Sequence, residues 1–130
     1  MIEAIVKDIQ SCDSLHIVKF NFQNQTLSMM SLELDKSIKV GTKVVLQVKS
    51  SHIALGKNIS GDLSYSNQLE SKIVSINIGE LLCSIKIKIG QDTILESVIT
   101  KNSLNRMKIK ENDNITAFIK ASELSISKVL

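Results

Sequence analysis

Apolar and polar residues alternate along most of the chain, and this period of two indicates half-buried β-strands. In segment 83–89, three isoleucines fall on one face, and a serine with two lysines falls on the other. Turn residues at 90–92 separate this segment from a second alternating segment at 93–100, so the two form a predicted hairpin. Further strands are predicted at 115–120 and 124–126, with one or two helical turns at 103–107.

The first half of the chain repeats this plan, and the repeat is the most informative feature of the sequence. Segment 15–22 alternates like segment 82–89, and segment 44–51 aligns with segment 115–122. The chain therefore holds two copies of a unit of roughly 60 to 65 residues. We place the units at residues 1–60 and 61–130, joined near a serine-containing segment at 58–66.

Each unit has about five short strands and a helix of one or two turns, which predicts a small β-barrel. The predicted fold class is all-β, with two tandem five-stranded barrels of the oligonucleotide/oligosaccharide-binding (OB) type, each with a short helix. A single unit of this size buries little core on its own. We therefore expect the chain to form a homo-oligomer.

The composition narrows the possible functions. Hydrophobic residues make up 43% of the chain and charged residues 22%, which excludes a disordered protein. A net charge of +3 with only 3% aromatic residues argues against a nucleic-acid-binding surface. The N-terminal segment lacks the pattern of a signal peptide, and no apolar run is long enough to span a membrane. We expect a cytoplasmic protein whose Cys12 and Cys83 stay reduced, and no metal centre at His16 or His52.

Two tripeptides at equivalent places in the two units carry the candidate chemistry. The sequence is Lys-Ser-Ser at 49–51 and Lys-Ala-Ser at 120–122, each where one strand ends and the next begins. At such a turn the backbone N–H groups are no longer paired with a neighbouring strand, so they are available as donors together with the lysine ammonium and the serine hydroxyl. An all-donor site suits a tetrahedral oxyanion such as sulfate, phosphate, molybdate or tungstate. A solvated lysine before a polar turn is the alternative, and the recurrence of the tripeptide favours the anion site.

Other hydroxyl and amide side chains are possible further donors. Segment 64–68, Ser-Tyr-Ser-Asn-Gln, either donates hydrogen bonds to a ligand or serves as a polar linker before a strand. Thr100 and Ser103 flank the start of the short helix, where they either cap the helix or donate to the same anion. Ser31 is the nearest counterpart of Thr100 in the first unit. No catalytic arrangement or glycine-rich phosphate loop occurs, so we predict no enzymatic activity.

Three motifs in the second half resemble those of the molbindin (Mop) family, the molybdate-binding members of the TOBE group. The family's opening Ser-Ala-Arg-Asn-Gln-Leu is similar to Ser-Tyr-Ser-Asn-Gln-Leu at 64–69. Its middle Ile-Thr-x-x-Ser-Val/Leu is similar to Ile-Thr-Lys-Asn-Ser-Leu at 99–104. Its closing Ala-x-x-Lys-Ala/Ser-Ser/Thr-x-Val is similar to Ala-Phe-Ile-Lys-Ala-Ser-Glu-Leu at 117–124. The first half keeps only the closing motif, at 49–51, and is a degenerate copy.

This resemblance implies a tandem, di-Mop protein that binds molybdate or tungstate in the cytoplasm for storage or homeostasis, with no other cofactor. It implies a homo-oligomer, with a trimer favoured over a dimer. The anion ligands that it implies are Lys49, Ser50, Ser51, Ser64, Ser66, Asn67, Thr100, Ser103, Lys120, Ala121 and Ser122. Ala121 would act through its backbone N–H group. Ser66 stands where the family has an arginine, so a site there loses a charge-assisted donor.

Two other functions remain open from the sequence. The same tandem forms the effector-sensing part of molybdate-responsive transcription regulators, which carry an N-terminal helix-turn-helix domain. The start at Met1 favours a chain without such a domain, and a winged helix-turn-helix encoded upstream would reverse that preference. An OB-type nucleic-acid binder is the third hypothesis, and the low aromatic content and the single arginine, Arg106, count against it.

Overall fold

The computed structural model describes all 130 residues, and more than half of them lie in β-strands. In chain order the strands are β1 (Ile2–Cys12), β2 (Leu15–Phe22), β3 (Gln25–Ser31), β4 (Lys43–Gln47), β5 (Ala54–Gly56), β6 (Asn67–Ile78), β7 (Leu82–Ile89), β8 (Thr93–Thr100), β9 (Asn114–Ile119) and β10 (Ser125–Val129). The one α-helix is α1 (Lys101–Met107), and two 3-10 helices lie at Ser50–His52 and Ala121–Glu123. None of these helices has the length and apolar character needed to cross a bilayer.

The strands form two five-stranded sheets with the same internal order. The first sheet runs β10-β4-β1-β2-β3, and the second runs β5-β9-β6-β7-β8. In each sheet three consecutive long strands form an antiparallel meander. A strand from later in the chain (β4 or β9) pairs beside the first strand of each meander, and a short outermost strand (β10 or β5) follows.

The outermost strand of each sheet comes from the other half of the sequence. The chain divides into a first unit, made of Met1–Val48, Tyr65–Asn67 and Lys120–Leu130, and a second unit, made of Lys49–Ser64 and Gln68–Ile119. Pairing explains this division, because β10 pairs with β4 and β5 pairs with β9. The last segment of each sequence half therefore belongs to the compact unit that contains most of the other half.

The sequence repeat extends to an irregularity in the long strands. The pairing of β1 with β2 shifts register between Val6 and Asp8, and the pairing of β6 with β7 shifts between Ile73 and Ser75. Each of these strands therefore carries a β-bulge, which bends a strand and increases its twist. The two bulges are equivalent, because Val6 pairs with Phe20 and Ile73 pairs with Ile87 at matching points of the meanders.

The alternation predicted from the sequence is confirmed in both cores. In the second unit Ile85, Ile87 and Ile89 are completely buried, while Lys86 and Lys88 on the opposite face are exposed. The hairpin of β7 and β8 closes through the predicted turn at 90–92. In the first unit the core includes side chains of β2 and β3, among them Val18, Phe20, Phe22 and Leu27.

The helix predicted for each unit exists only in the second unit, so that prediction is wrong for the first. The helix α1 begins after Thr100, whose side chain accepts a hydrogen bond from the Ser103 N–H group. The equivalent stretch of the first unit, 32–42, contains turns instead. There the carboxylate of Asp35 accepts the Ser37 N–H at 2.8 Å, and the Asp35 carbonyl accepts the Ile38 N–H at 3.0 Å. Such an Asx turn competes with helix formation.

A partly exposed ion pair holds the C-terminal end of α1. The Lys57 ammonium donates to the carbonyl oxygens of Met107 at 3.3 Å and Lys108 at 3.0 Å, and it pairs with the Asp113 carboxylate at 3.3 Å. A cation at this end satisfies the last helical carbonyls and complements the helix dipole. Lys108 ends the helix in the left-handed conformation, with φ of 53°.

Replacement of Asp113 by asparagine is expected to lower stability at neutral pH and to have no effect in strong acid. The Lys110 N–H group, at 2.9 Å, and then Lys57 hold the pKa of Asp113 below its usual value of 3.8. A depressed carboxyl pKa contributes stability above 3.8 and loses it as the pH falls below that value. Urea denaturation at pH 7 and near pH 2 measures the difference. Asp92→Asn, in the exposed hairpin turn, is the matched control, and an equal loss in both variants contradicts this role.

Candidate oxyanion site

The two lysine tripeptides adopt the same backbone conformation. We name residues Lys49–His52 the first lysine turn and residues Lys120–Glu123 the second lysine turn. Each lysine is extended, with φ and ψ of −69° and 139° at Lys49 and of −66° and 147° at Lys120, and a 3-10 helix follows. Each turn joins the end of one strand to the start of the next, as predicted, between β4 and β5 and between β9 and β10.

The geometry of each lysine turn leaves donors available. The His52 N–H bonds to the Lys49 carbonyl and the Glu123 N–H bonds to the Lys120 carbonyl, both at 2.9 Å. In each turn the first N–H group that donates within the turn belongs to the fourth residue, His52 or Glu123. The N–H groups of the second and third residues therefore have no acceptor within the turn. These groups belong to Ser50 and Ser51 in the first turn and to Ala121 and Ser122 in the second. Both lysines and the serines at 51 and 122 are exposed, so each turn presents an ammonium, a hydroxyl and two N–H groups.

Each lysine turn packs on the last strand of a meander. The first turn contacts β8 in the second unit, and the second turn contacts β3 in the first unit. The hydroxyl of Ser97 on β8 is completely buried and donates at 2.8 Å to the carbonyl of Ile53, the residue after the first turn. This bond fixes the first turn to β8, because a buried hydroxyl strongly prefers to keep its partner.

The exchange of segments decides which predicted site residues share a unit. The second unit contains Lys49, Ser50, Ser51, Ser64, Thr100 and Ser103. The first unit contains Ser66, Asn67, Lys120, Ala121 and Ser122. The first lysine turn therefore shares its unit with Thr100 and Ser103 of the other sequence half, whereas Lys120 shares its unit with Ser66 and Asn67 of its own half.

Hydroxyl groups at the start of α1 form a connected set in the second unit. Thr100 Oγ1 accepts the Ser103 N–H at 3.1 Å and donates its own proton to Ser103 Oγ at 3.0 Å. The helix-capping role that the sequence left open is therefore present. Arg106 Nη2 also donates to Ser103 Oγ, at 3.4 Å. Sequence reasoning did not include Arg106 in the site, although its spacing of three residues from Ser103 on a helix places the two side chains together.

Asn67 is a buried residue that bonds to the backbone of the first unit. Its side chain is 1% exposed, its Oδ1 accepts the Ser28 N–H at 2.7 Å, and its Nδ2 donates to the Ser28 carbonyl at 2.9 Å. The amide thus pairs with β3 as a neighbouring strand would. Asn67 remains a predicted anion ligand, and the contacts with Ser28 show that it also holds the opening motif against β3.

A cavity of about 440 Å³ lies beside the second lysine turn in the first unit. Ser122 lines it together with Ser31 and two carboxylate residues, Glu33 and Asp35. The N–H group of Ser37 holds the pKa of Asp35 below its usual value. Ser31 Oγ accepts the Glu33 N–H at 3.2 Å. Lys128 also lines this cavity, so its wall carries charged side chains of both signs.

The remaining chemistry-bearing residues form no other site. The side chains include no group of three or more His, Cys, Asp or Glu residues that could hold a metal ion. Cys12 is an exposed free thiol and Cys83 a buried one. His16 Nδ1 lies 2.7 Å from the hydroxyl of Ser11 at the exposed end of the β1–β2 hairpin.

Comparison with known proteins finds similar sequences for the second half of the chain. Residues 63–126 match the model of the TOBE domain. Over 64 residues, 49% of this chain, the protein is 28% identical to molybdenum-pterin-binding protein 1 of Clostridium pasteurianum and 27% identical to protein 2 of the same organism. The alignment covers 94% of each relative.

A solved structure shares the fold along almost the whole chain. It is the cytoplasmic molybdate-binding protein ModG with molybdate bound, and it matches with a TM-score of 0.91 and 23% sequence identity. The match covers 96% of this chain and 92% of ModG. At this identity the match establishes a common fold. Together with the TOBE domain and the Clostridium relatives, it confirms the predicted resemblance to the molbindin (Mop) family.

Proposed function

We propose that this protein binds molybdate or tungstate reversibly in the cytoplasm, for storage or homeostasis, and catalyses no reaction. One observation carries the proposal. In each of the two units an extended lysine precedes a 3-10 helix, and the two lysines have the same backbone conformation. The names of the relatives support molybdate as the ligand, because the Clostridium proteins and ModG are named for binding molybdenum compounds or molybdate.

The chemistry of the lysine turns fits a tetrahedral dianion. All oxygens of such an anion accept hydrogen bonds, and removing its hydration water is costly unless donors replace the water. In the second unit Lys49 offers a charged donor, the N–H groups of Ser50 and Ser51 offer two neutral ones, and the Ser51 hydroxyl offers another. Binding through such contacts breaks no covalent bond, so it is reversible. Charge-assisted bonds from the lysine provide the largest share of the attraction.

We further propose that each sheet closes into an OB-like barrel and that the chain assembles as a homo-oligomer, with a trimer favoured over a dimer. In the second unit the two edge strands of the sheet, β5 and β8, contact each other, which supports closure. The equivalent bulges support an origin of the chain from two repeats, at 1–60 and 61–130. The last segment of each repeat belongs to the compact unit of the other.

Isothermal titration of the full chain with molybdate, tungstate and sulfate tests the proposed function. We expect saturable heats with molybdate and tungstate, because the donors of the lysine turns compensate the lost hydration of a tetrahedral dianion. Sulfate, a smaller dianion of the same shape, serves as the comparison that measures selectivity. An absence of heat and of any binding by equilibrium dialysis with all three anions would exclude the proposed function.

A further inference from the structure

A cavity of about 490 Å³ lies at the C-terminal end of α1 in the second unit. One wall consists of residues 55–59, at the end of β5 and just after it, and the other consists of residues 106–108 at the end of the helix. We name it the helix-end cavity. No residue of either lysine turn lines it. Its volume lies within the range of about 300 to 1,000 Å³ that small-molecule sites have.

The charged side chains of the helix-end cavity are all cations. Lys57, Arg106 and Lys108 line it, and no carboxylate does. The Lys57 ammonium is partly neutralised, because it pairs with the Asp113 carboxylate at 3.3 Å. Arg106 and Lys108 are exposed and form no salt bridge, so their charges are available to a ligand. Clefts lined by one sign of charge concentrate ligands of the opposite sign.

Apolar side chains form much of the remaining wall. Leu55 and Met107 are half-buried, and Ile59 is 52% exposed. Gly56 allows Ile59 to pack against the end of β5, because a Cβ at this position would lie 2.5 Å from Ile59 Cγ1. An inorganic anion would leave this apolar surface in water. A ligand that joins an anionic group to an apolar body would cover it, and the burial of apolar surface adds to affinity.

The repeat places a second cavity at the matching position of the first unit. The cavity of about 440 Å³ described above is also lined by an outermost strand, β10, and by the segment that follows β3. Lys128 lines it, and Lys57 precedes Lys128 by the same number of residues as Lys49 precedes Lys120. The cavity is therefore a feature of the fold that occurs twice. In the first unit its wall carries charges of both signs, so the helix-end cavity is the one suited to an anion.

We propose that the helix-end cavity is a ligand site separate from the lysine turns, and that it binds a phosphate monoester with an aromatic body. The phosphate of a monoester carries close to two negative charges at neutral pH, which Arg106 and Lys108 compensate. The planar fork of the guanidinium matches the phosphate oxygens. Leu55, Ile59 and Met107 contact the aromatic body. The site does not depend on the proposed function, because it shares no residue with the lysine turns.

Titration of the full chain with naphthyl phosphate, followed by two-dimensional amide NMR, tests this site. Binding should be saturable and should shift the amide signals of residues 55–59 and 106–108, both with and without excess molybdate. Inorganic phosphate should bind about tenfold more weakly, because it has no apolar body to bury. Raising the salt concentration should weaken the binding of naphthyl phosphate, since salt screens exposed charges.

A double variant measures the contribution of the two available cations. Arg106→Gln combined with Lys108→Asn should weaken the binding of naphthyl phosphate by about tenfold, because two charge-assisted donors are lost. Asparagine is the replacement at Lys108 because it tolerates the left-handed conformation of this residue, with φ of 53°. Lys86→Gln combined with Lys88→Gln removes two charges from the exposed face of β7 and is the matched control. This control should bind like wild type.

The outcomes separate this site from the proposed function. The proposal is overturned if wild type shows no saturable binding of naphthyl phosphate at millimolar concentration, or if the double variant binds as tightly as its control. Displacement of naphthyl phosphate by molybdate also overturns it, because the probe would then occupy the oxyanion site. Equal affinities for inorganic phosphate and naphthyl phosphate would contradict the apolar contacts. A failure of molybdate to bind would exclude the proposed function and leave this site unaffected.

Discussion

Replacement of Lys49 by alanine is expected to weaken molybdate binding to the second unit by about 10- to 100-fold. The lysine is the charged donor of the first lysine turn, and no other ammonium belongs to that turn. Without it, the neutral N–H groups of Ser50 and Ser51 must compensate the lost hydration of a dianion alone, which is insufficient. Isothermal titration of molybdate into the folded variant measures the loss.

Lys120→Ala gives the corresponding test in the first unit, and Lys72→Ala is the control. Lys72 is an exposed lysine within β6 and belongs to neither turn, and its replacement changes the net charge by the same amount. Circular dichroism should show that all three variants stay folded, because these side chains are exposed. Unchanged molybdate affinity in both Lys49→Ala and Lys120→Ala would mean that the turns are ordinary solvated turns.

Replacement of Asn67 by alanine is expected to lower the free energy of unfolding by about 2 to 4 kcal/mol, because Ser28 loses a donor and an acceptor in a part-buried setting. Asn67 is almost fully buried and bonds both backbone groups of Ser28. Urea denaturation, with equal slopes for variant and wild type, measures the change. Asn77→Ala, at an exposed position of the same strand, is the control and should stay close to wild type.

The Asn67 variants also separate a structural role from direct contact with the anion. Asn67→Asp keeps an acceptor for the Ser28 N–H but places a carboxylate oxygen against the Ser28 carbonyl, so it should destabilise the protein as well. If Asn67→Ala keeps wild-type stability while losing anion affinity, the stabilising role of the two hydrogen bonds from Asn67 to the Ser28 backbone is contradicted. In that case the amide acts on the anion alone.

Local patterns in the sequence predicted most elements of each sheet. The alternation around Ile87 predicts a half-buried strand because side chains of a strand point to opposite faces in turn. The hairpin turn at 90–92 and the short helix after Thr100 have equally local signals. The lysine turns could be located at strand ends because the two halves repeat the same order of strands and turns.

The exchange of segments could not be predicted from the sequence. The strands β5 and β10 have the same pattern whether they pair within their own half or with the other half, because a pattern fixes the buried face and leaves the partner open. The first unit lacks the helix because the Asx turn at Asp35 competes with helix formation, and a single residue decides this. Asn67 and Ser28 are far apart in sequence, and the alternation of apolar and polar residues does not predict contacts between distant residues.

Native mass spectrometry of the full chain, with and without excess molybdate, tests the central claim most directly. It reports the number of subunits and the number of bound anions in one spectrum, and sulfate at the same concentration provides the control. We predict an oligomer whose mass increases by whole molybdate ions, with fewer ions retained by the Lys49→Ala and Lys120→Ala double variant. A spectrum that stays unchanged at saturating molybdate would contradict the account.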